Sequence, residues 1–205
     1  RSSPSRSARI ATGDSSHSEG RNTQSTNANS HAEGISSTAS GYSSHAEGIN
    51  TLSGATGSHS EGRNTQANNS YTHAGGLGAV SQDMAQFSRS SGWFGATGMA
   101  QTSQYYVRAS GPTGSSGPFY LTLDGGSLVA PTSSSRIPHI NTNTFWTNKV
   151  DIIGVANDGS LTPYTDAWLT QTTNVGGVVG STGTQIASLT VFPTFPVPVS
   201  VNLHN

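Results

Sequence analysis

The chain has 205 residues, only 9% of them charged, a formal net charge of −1 and no cysteine. That balance leaves no basic face for nucleic acid and excludes disulfides and thiolate metal sites. No apolar run approaches the roughly 18–20 residues of a membrane span, so neither nucleic-acid binding nor membrane insertion is expected.

In chain order, residues 1–10 hold no apolar core of a secretory signal. A repeat then begins. His17, His31, His45, His59 and His73 stand fourteen residues apart, and Glu19, Glu33, Glu47 and Glu61 keep the same step. The words around them read SHSEG, SHAEG, SHAEG, SHSEG and a decayed THAGG. A period held through five turns predicts a solenoid, in which each coil stacks on the last and none folds alone. By composition the segment resembles a disordered chain, since Leu, Ile, Val and Phe number only four in residues 1–76 against thirty-one in 77–205. The strict period argues for order, with little apolar volume inside each coil.

A finer grain of seven runs through the repeat. Positions 13, 20, 34, 41, 48, 62 and 76 are Gly, and 27 and 69 are Asn. These residues tolerate φ > 0, so a left-handed turn is expected at each, with two short strands per coil. Side chains alternate across a strand. Ser18, Ala32, Ala46, Ser60 and Ala74 are all small, as are Ser25, Ala39, Ser53 and Ala67. They are predicted to fill the coil interior. Each His and the Glu two residues on then share the opposite face, whose constancy contrasts with the variable Arg21, Ile35, Ile49 and Arg63. Residues 1–76 are thus a shaft.

Residues 77–104 look like a neck, where larger side chains such as Met84, Phe87, Trp93 and Phe94 plug the end of the coil. From 105 to 205 the pattern changes to separate strands rich in β-branched and aromatic residues: 105–109, 119–123, 144–155, 167–172, 185–192 and 197–203. Turn-rich clusters at 111–118, 124–127, 130–138, 156–160 and 174–184 divide them. The fold class expected is all-β, with a solenoid shaft followed by a β-sandwich or jelly-roll tip.

The repeat at residues 16–76 resembles the head of trimeric autotransporter adhesins of the YadA type, in the SHAEG wording of many phage and giant-virus fibre proteins. The stretch QFSRSSGWFGATGMAQTSQYYVRAS from Gln86, followed by FYLTLDGG, is similar to the segment that follows the repeats in such fibres. This chain has Met99 where those proteins usually carry Asp. The resemblance implies a left-handed parallel β-roll, three chains around one axis, and a C-terminal β domain that runs on past a point like Asn205. It also implies an extracellular place, on a virion or phage fibre or on a bacterial surface.

The His/Glu column is read as the polar core of that homotrimer: His17, Glu19, His31, Glu33, His45, Glu47, His59, Glu61 and His73 hydrogen-bonding around the axis, because buried charge requires partners. Two other readings are a site for a metal or an anion, with His31, His45 and His59 as metal ligands, and a solvated face. No cofactor is expected. Enzyme activity is not expected either, since no G-x-S-x-G elbow is present and a catalytic site does not recur once per turn. Exposed aromatics can stack on sugar rings, and Tyr105, Tyr106, Tyr120, Tyr164, Trp146 and Trp168 qualify by type. Tyr164, in the apparent loop SLTPYTD, leads, with Trp146 and Trp168 behind it. The function expected is adhesion to a host-cell receptor or surface glycan through the tip. The alternative is a purely structural stalk or capsid decoration without a ligand of its own.

Overall fold

A computed structural model describes residues 8–108, 122–123, 144–155, 163–175 and 178–190. The described residues form strands and turns, with no helix among them. Two units emerge, Arg1–Tyr106 and Val107–Asn205.

The first unit is a parallel β-solenoid of about six coils. One sheet stacks β1 (Arg9–Ala11), β3 (Thr23–Ser25), β5 (Thr38–Ala39), β7 (Leu52–Ser53), β9 (Gln66–Ala67) and β11 (Val80–Ser81). The other stacks β2 (His17–Arg21), β4 (His31–Ile35), β6 (His45–Ile49), β8 (His59–Arg63), β10 (His73–Leu77) and β12 (Phe87–Ser91). Every parallel pair is offset by fourteen residues, so His17 lies beside His31, and His31 beside His45. The sequence period is therefore the register.

The interior is as small as expected. Ala32, Ala39, Ala46, Ala67 and Ala74 are fully buried, as are Ser25, Ser53 and Ser60. Where the second column carries Ser, its hydroxyl donates to a strand carbonyl: Ser25 to His17, Ser53 to His45, Ser81 to His73. Two further buried columns, two residues ahead of those picked out in the sequence, share their inward face. Thr23, Ser37, Thr51, Thr65 and Ala79 form one, and Ser30, Ser44, Ser58 and Thr72 the other. The latter explains the first letter of the SHAEG word. Each hydroxyl donates to the carbonyl three residues back, Ser44 to Gly41 at 2.8 Å and Ser58 to Ala55 at 2.7 Å, locking a tight turn.

Positive φ appears at the predicted Gly20, Gly34, Gly48, Gly62 and Gly76, at 92–111°, and not at Gly13, Asn27, Gly41 or Asn69, while the αL residues are a second set. These recur every seven residues, two positions later, at Ser15, Asn22, Asn29, Ser36, Ser43, Asn50, Gly57, Asn64 and Tyr71, with φ between 51° and 60°. Close approach also constrains the glycines. A Cβ on Gly13 would stand 2.0 Å from the Asn27 carbonyl oxygen, and one on Gly41 1.9 Å from that of Ala55. Stacked coils approach too closely for a side chain there.

The coil also outlasts its histidine marker. Phe87, fourteen residues after His73, pairs with it in β12, so much of the expected neck is a further coil. The stack ends where β13 (Gln101–Gln104) pairs antiparallel with β12. The Gln101 side chain caps the other sheet: its Oε1 accepts from Val80 N and its Nε2 donates to Val80 O, both at 2.8 Å. An amide side chain thus satisfies backbone groups that an open edge would leave unpaired. Tyr105 lies beyond β13 rather than opening a strand. Burial pushes its phenol well above the ordinary range, and the nearby Asp83 carboxylate adds to this.

In the second unit, β14 (Thr144–Val155), β15 (Pro163–Val175) and β16 (Val178–Thr190) form a three-stranded antiparallel sheet. The expected strand at 144–155 matches β14, and 167–172 lies within β15. The expected turn cluster at 174–184 is mostly strand, since pairing resumes at Val175 and Val178. Only Gly176 and Gly177 separate these in sequence. The expected strand at 197–203 and the clusters at 111–118 and 130–138 lie outside the described residues.

The small interior sets the tolerance of the shaft. Ala46→Leu is expected to destabilise it by about 3 kcal/mol, near the upper end for overpacked cores, because the neighbours Ala32 and Ser60 sit one strand spacing away on either side. Ala46→Ser, which copies positions 18, 60 and 88, should cost no more than ~1 kcal/mol. Chemical denaturation midpoints of the two variants check this; equal losses would contradict the packing described.

Candidate functional site

The His/Glu face is the outer face of β2, β4, β6, β8 and β10, opposite the alanine and serine column. Parallel in-register strands repeat each side chain at the strand spacing of about 4.8 Å. The imidazoles therefore stack. Ring centroids of His31 and His45 are 4.7 Å apart with planes 4° from parallel, and those of His45 and His59 are 4.8 Å apart at 2°. The end rings tilt: His17 meets His31 edge-on at 69°, and His73 meets His59 at 62°. Phe87 continues the column, its ring 4.5 Å from His73. Sequence reasoning placed Phe87 in the neck, although the same fourteen-residue step reaches it.

Glutamates flank the ladder. His31 Nε2 and His45 Nε2 each lie 3.8 Å from the Oε2 of the Glu two residues on. The His17–Glu19 contact is 3.3 Å. Glu61 instead reaches the next coil, with Oε1 3.4 Å from His73 Nε2. Burial holds the His31 and His59 pKa values below the ordinary imidazole value of 6.5, and neighbouring imidazoles lower them further. The flanking carboxylates pull the other way and are outweighed. In the single chain the His31 and His45 side chains keep 37% of their exposure. The face is half covered, with room for more to pack on it.

The predicted aromatic set disperses. Tyr164 is not in a loop: it sits in β15, paired with Gly154 and Thr190. The run SLTPYTD looks loop-like because of Pro163, yet Pro163 opens a strand, a position that needs no ladder hydrogen bond from it. Trp168 pairs with Val150 in the middle of the sheet, and Trp146 pairs with Thr172 towards its other end. Trp146 is half-buried. The register thus spreads Tyr164, Trp168 and Trp146 along the sheet. Tyr106, by contrast, is 71% exposed, and Tyr120 lies outside the described residues. Among the described residues no helix is long and apolar enough to cross a membrane. Comparison with protein-family models, curated proteins and solved structures finds no match to this chain.

Proposed function

We propose that the chain is a segment of a homotrimeric extracellular fibre, with the His/Glu ladders of three chains meeting at the axis and the C-terminal β domain acting as the adhesive tip. The observation that carries the reading is the ladder itself. It is a flat, regular face in which the Nε2 atoms of His31, His45 and His59 are out of reach of solvent and lack hydrogen-bond partners. Buried polar atoms of this kind are rare in finished structures, and a partner surface satisfies them. The interior supports the same conclusion. Alanine, serine and threonine bury too little apolar area to make a monomeric shaft robust, and association adds burial.

Adhesion follows from the division of labour between the two units. A shaft that repeats one small polar motif offers no singular pocket. A domain beyond it, read as part of a β-sandwich or jelly roll, carries the aromatic residues suited to a host-cell receptor or surface glycan. Three copies on one axis multiply weak binding through avidity. The virion, phage-fibre or bacterial-surface setting rests on the SHAEG resemblance.

Sedimentation equilibrium of the full chain is expected to return three chains per particle. A monomer at micromolar concentration would refute the axial reading. A glycan array probed with the trimer should show selective binding that Tyr164→Ala or Trp146→Ala weakens. A trimer that binds neither glycans nor host cells would instead be a structural stalk.

A further inference from the structure

The ends of the histidine ladder are closed by hydrogen bonds and its middle is not. His17 Nε2 meets Glu19 Oε2 at 3.3 Å, and His73 Nε2 meets Glu61 Oε1 at 3.4 Å. Between them, His31, His45 and His59 present bare, solvent-inaccessible Nε2 atoms. Glu47 lies in this stretch with its Oε2 3.8 Å from His45 Nε2, too far for a hydrogen bond. Glu61, the acid that would serve His59, is turned to the next coil. One donor atom each from His45, Glu47 and His59 lies within 4.8 Å of the others. Among the described residues no other His/Glu grouping closes as tightly.

We propose that His45, Glu47 and His59 form a binding site for a divalent transition-metal ion of the zinc type. Two imidazole nitrogens and one carboxylate oxygen are the donor mix that such ions prefer, whereas calcium and magnesium take oxygen sets. A cation between the two coils gives all three donors a partner at once. Tetrahedral coordination with bonds of about 2.0–2.1 Å sets donors roughly 3.3 Å apart, so these must draw in by up to about 1.5 Å. All three side chains are partly exposed, and staggered χ alternatives supply that movement without disturbing the strand ladder. Three protein ligands leave a fourth position for water. Every donor comes from one chain, so the site does not depend on the trimer, and with the ion bound only His31 Nε2 of the three bare imidazole nitrogens is left for a partner chain to satisfy.

The test is zinc titration of the full, chelator-stripped chain by calorimetry, with metal analysis of the dialysed protein. One zinc per chain is expected. Loss of an outer-shell partner alone typically costs ~10–100-fold in affinity, so Glu47→Gln and His59→Gln should each weaken binding at least about tenfold. His17→Gln, at the closed end, should leave it unchanged. Circular dichroism checks that the variants remain folded. Cobalt loading of the unaltered chain gives an independent reading, since four-coordinate cobalt shows intense visible bands that six-coordinate cobalt lacks. No saturable zinc binding, binding indifferent to Glu47→Gln and His59→Gln, or six-coordinate cobalt would each overturn the proposal. So would one ion per three chains, which would place the donors on a single rung around an axis.

Discussion

Gly48→Ala is expected to destabilise the shaft by about 4 kcal/mol or more, a loss reserved for a few structural causes. Two of them coincide here. Gly48 has φ +111°, a backbone state that side chains resist at a cost of ~1–3 kcal/mol. Its Cβ would also stand 2.1 Å from the Gly62 carbonyl oxygen in the next coil. No rotamer relieves a contact between Cβ and backbone, so the strands themselves must part. Gly20, Gly34 and Gly62 repeat the geometry, a Cβ on each standing 2.1 Å from the oxygen of the next glycine. The column ends with Ser90 in β12, where no further parallel coil follows and a side chain fits. Gly57→Ala is the control. Gly57 has φ +60°, and equivalent positions hold Ser15, Asn29, Ser43, Tyr71 and Ala85 at φ 51–60°. A Cβ there meets only the ring of the exposed Tyr71, at 3.0 Å. A loss of about 1–2 kcal/mol is expected, the cost of αL geometry for alanine alone. Denaturation midpoints decide it; equal losses at Gly48 and Gly57 would show that conformation, and not coil-to-coil approach, sets the requirement.

The contrast between these glycines marks how far the sequence could be read. The fourteen-residue step of the histidines is itself the strand register, so the solenoid, its small interior and the outward His/Glu face were all legible. The seven-residue step was legible too, but only part of its physical meaning was. Gly34 and Gly48 do have the positive φ that their residue type suggests, at 99° and 111°, but the close approach of the next coil has no signature in the sequence. Phe87 escaped because a change of residue type hid an unchanged period. Gln101 escaped because a capping amide has no local signature: its partner Val80 is twenty-one residues away. In the second unit, β14 carries its own run of β-branched and aromatic residues and was found at its full length. The start of β16 is rich in glycine and serine, which favour turns in isolation, and its strand state is imposed by pairing with β15. The closed ends and open middle of the ladder were invisible in a repeat whose letters are nearly identical; they follow from which coil each glutamate reaches.

Acidification is expected to unmake the ladder. With a chelator present to remove bound metal, the melting temperature of the shaft should hold above about pH 6.5 and fall continuously as pH drops below it. His31 and His59 have folded pKa values below 6.5, chiefly because burial penalises the charged ring. A group whose pKa is lower in the folded state takes up its proton more readily when the chain unfolds. Stability is therefore complete above the unfolded value near 6.5 and is lost as pH falls from there through the folded values. His31 faces His17 and His45, which oppose its charging, and Glu33 and Glu19, which favour it. His59 faces His73 on one side of that balance and Glu47 and Glu61 on the other. Desolvation leads in both cases, so the carboxylates soften the loss without reversing it. Packing a second and third chain against this face deepens the burial, so in a trimer the acid transition should include dissociation and steepen with the number of rungs charged. Replacing His31 and His59 together by Gln should flatten the profile while leaving the melting temperature at neutral pH far less affected. A stability that rises on acidification would mean that the glutamates, and not burial, govern the ladder.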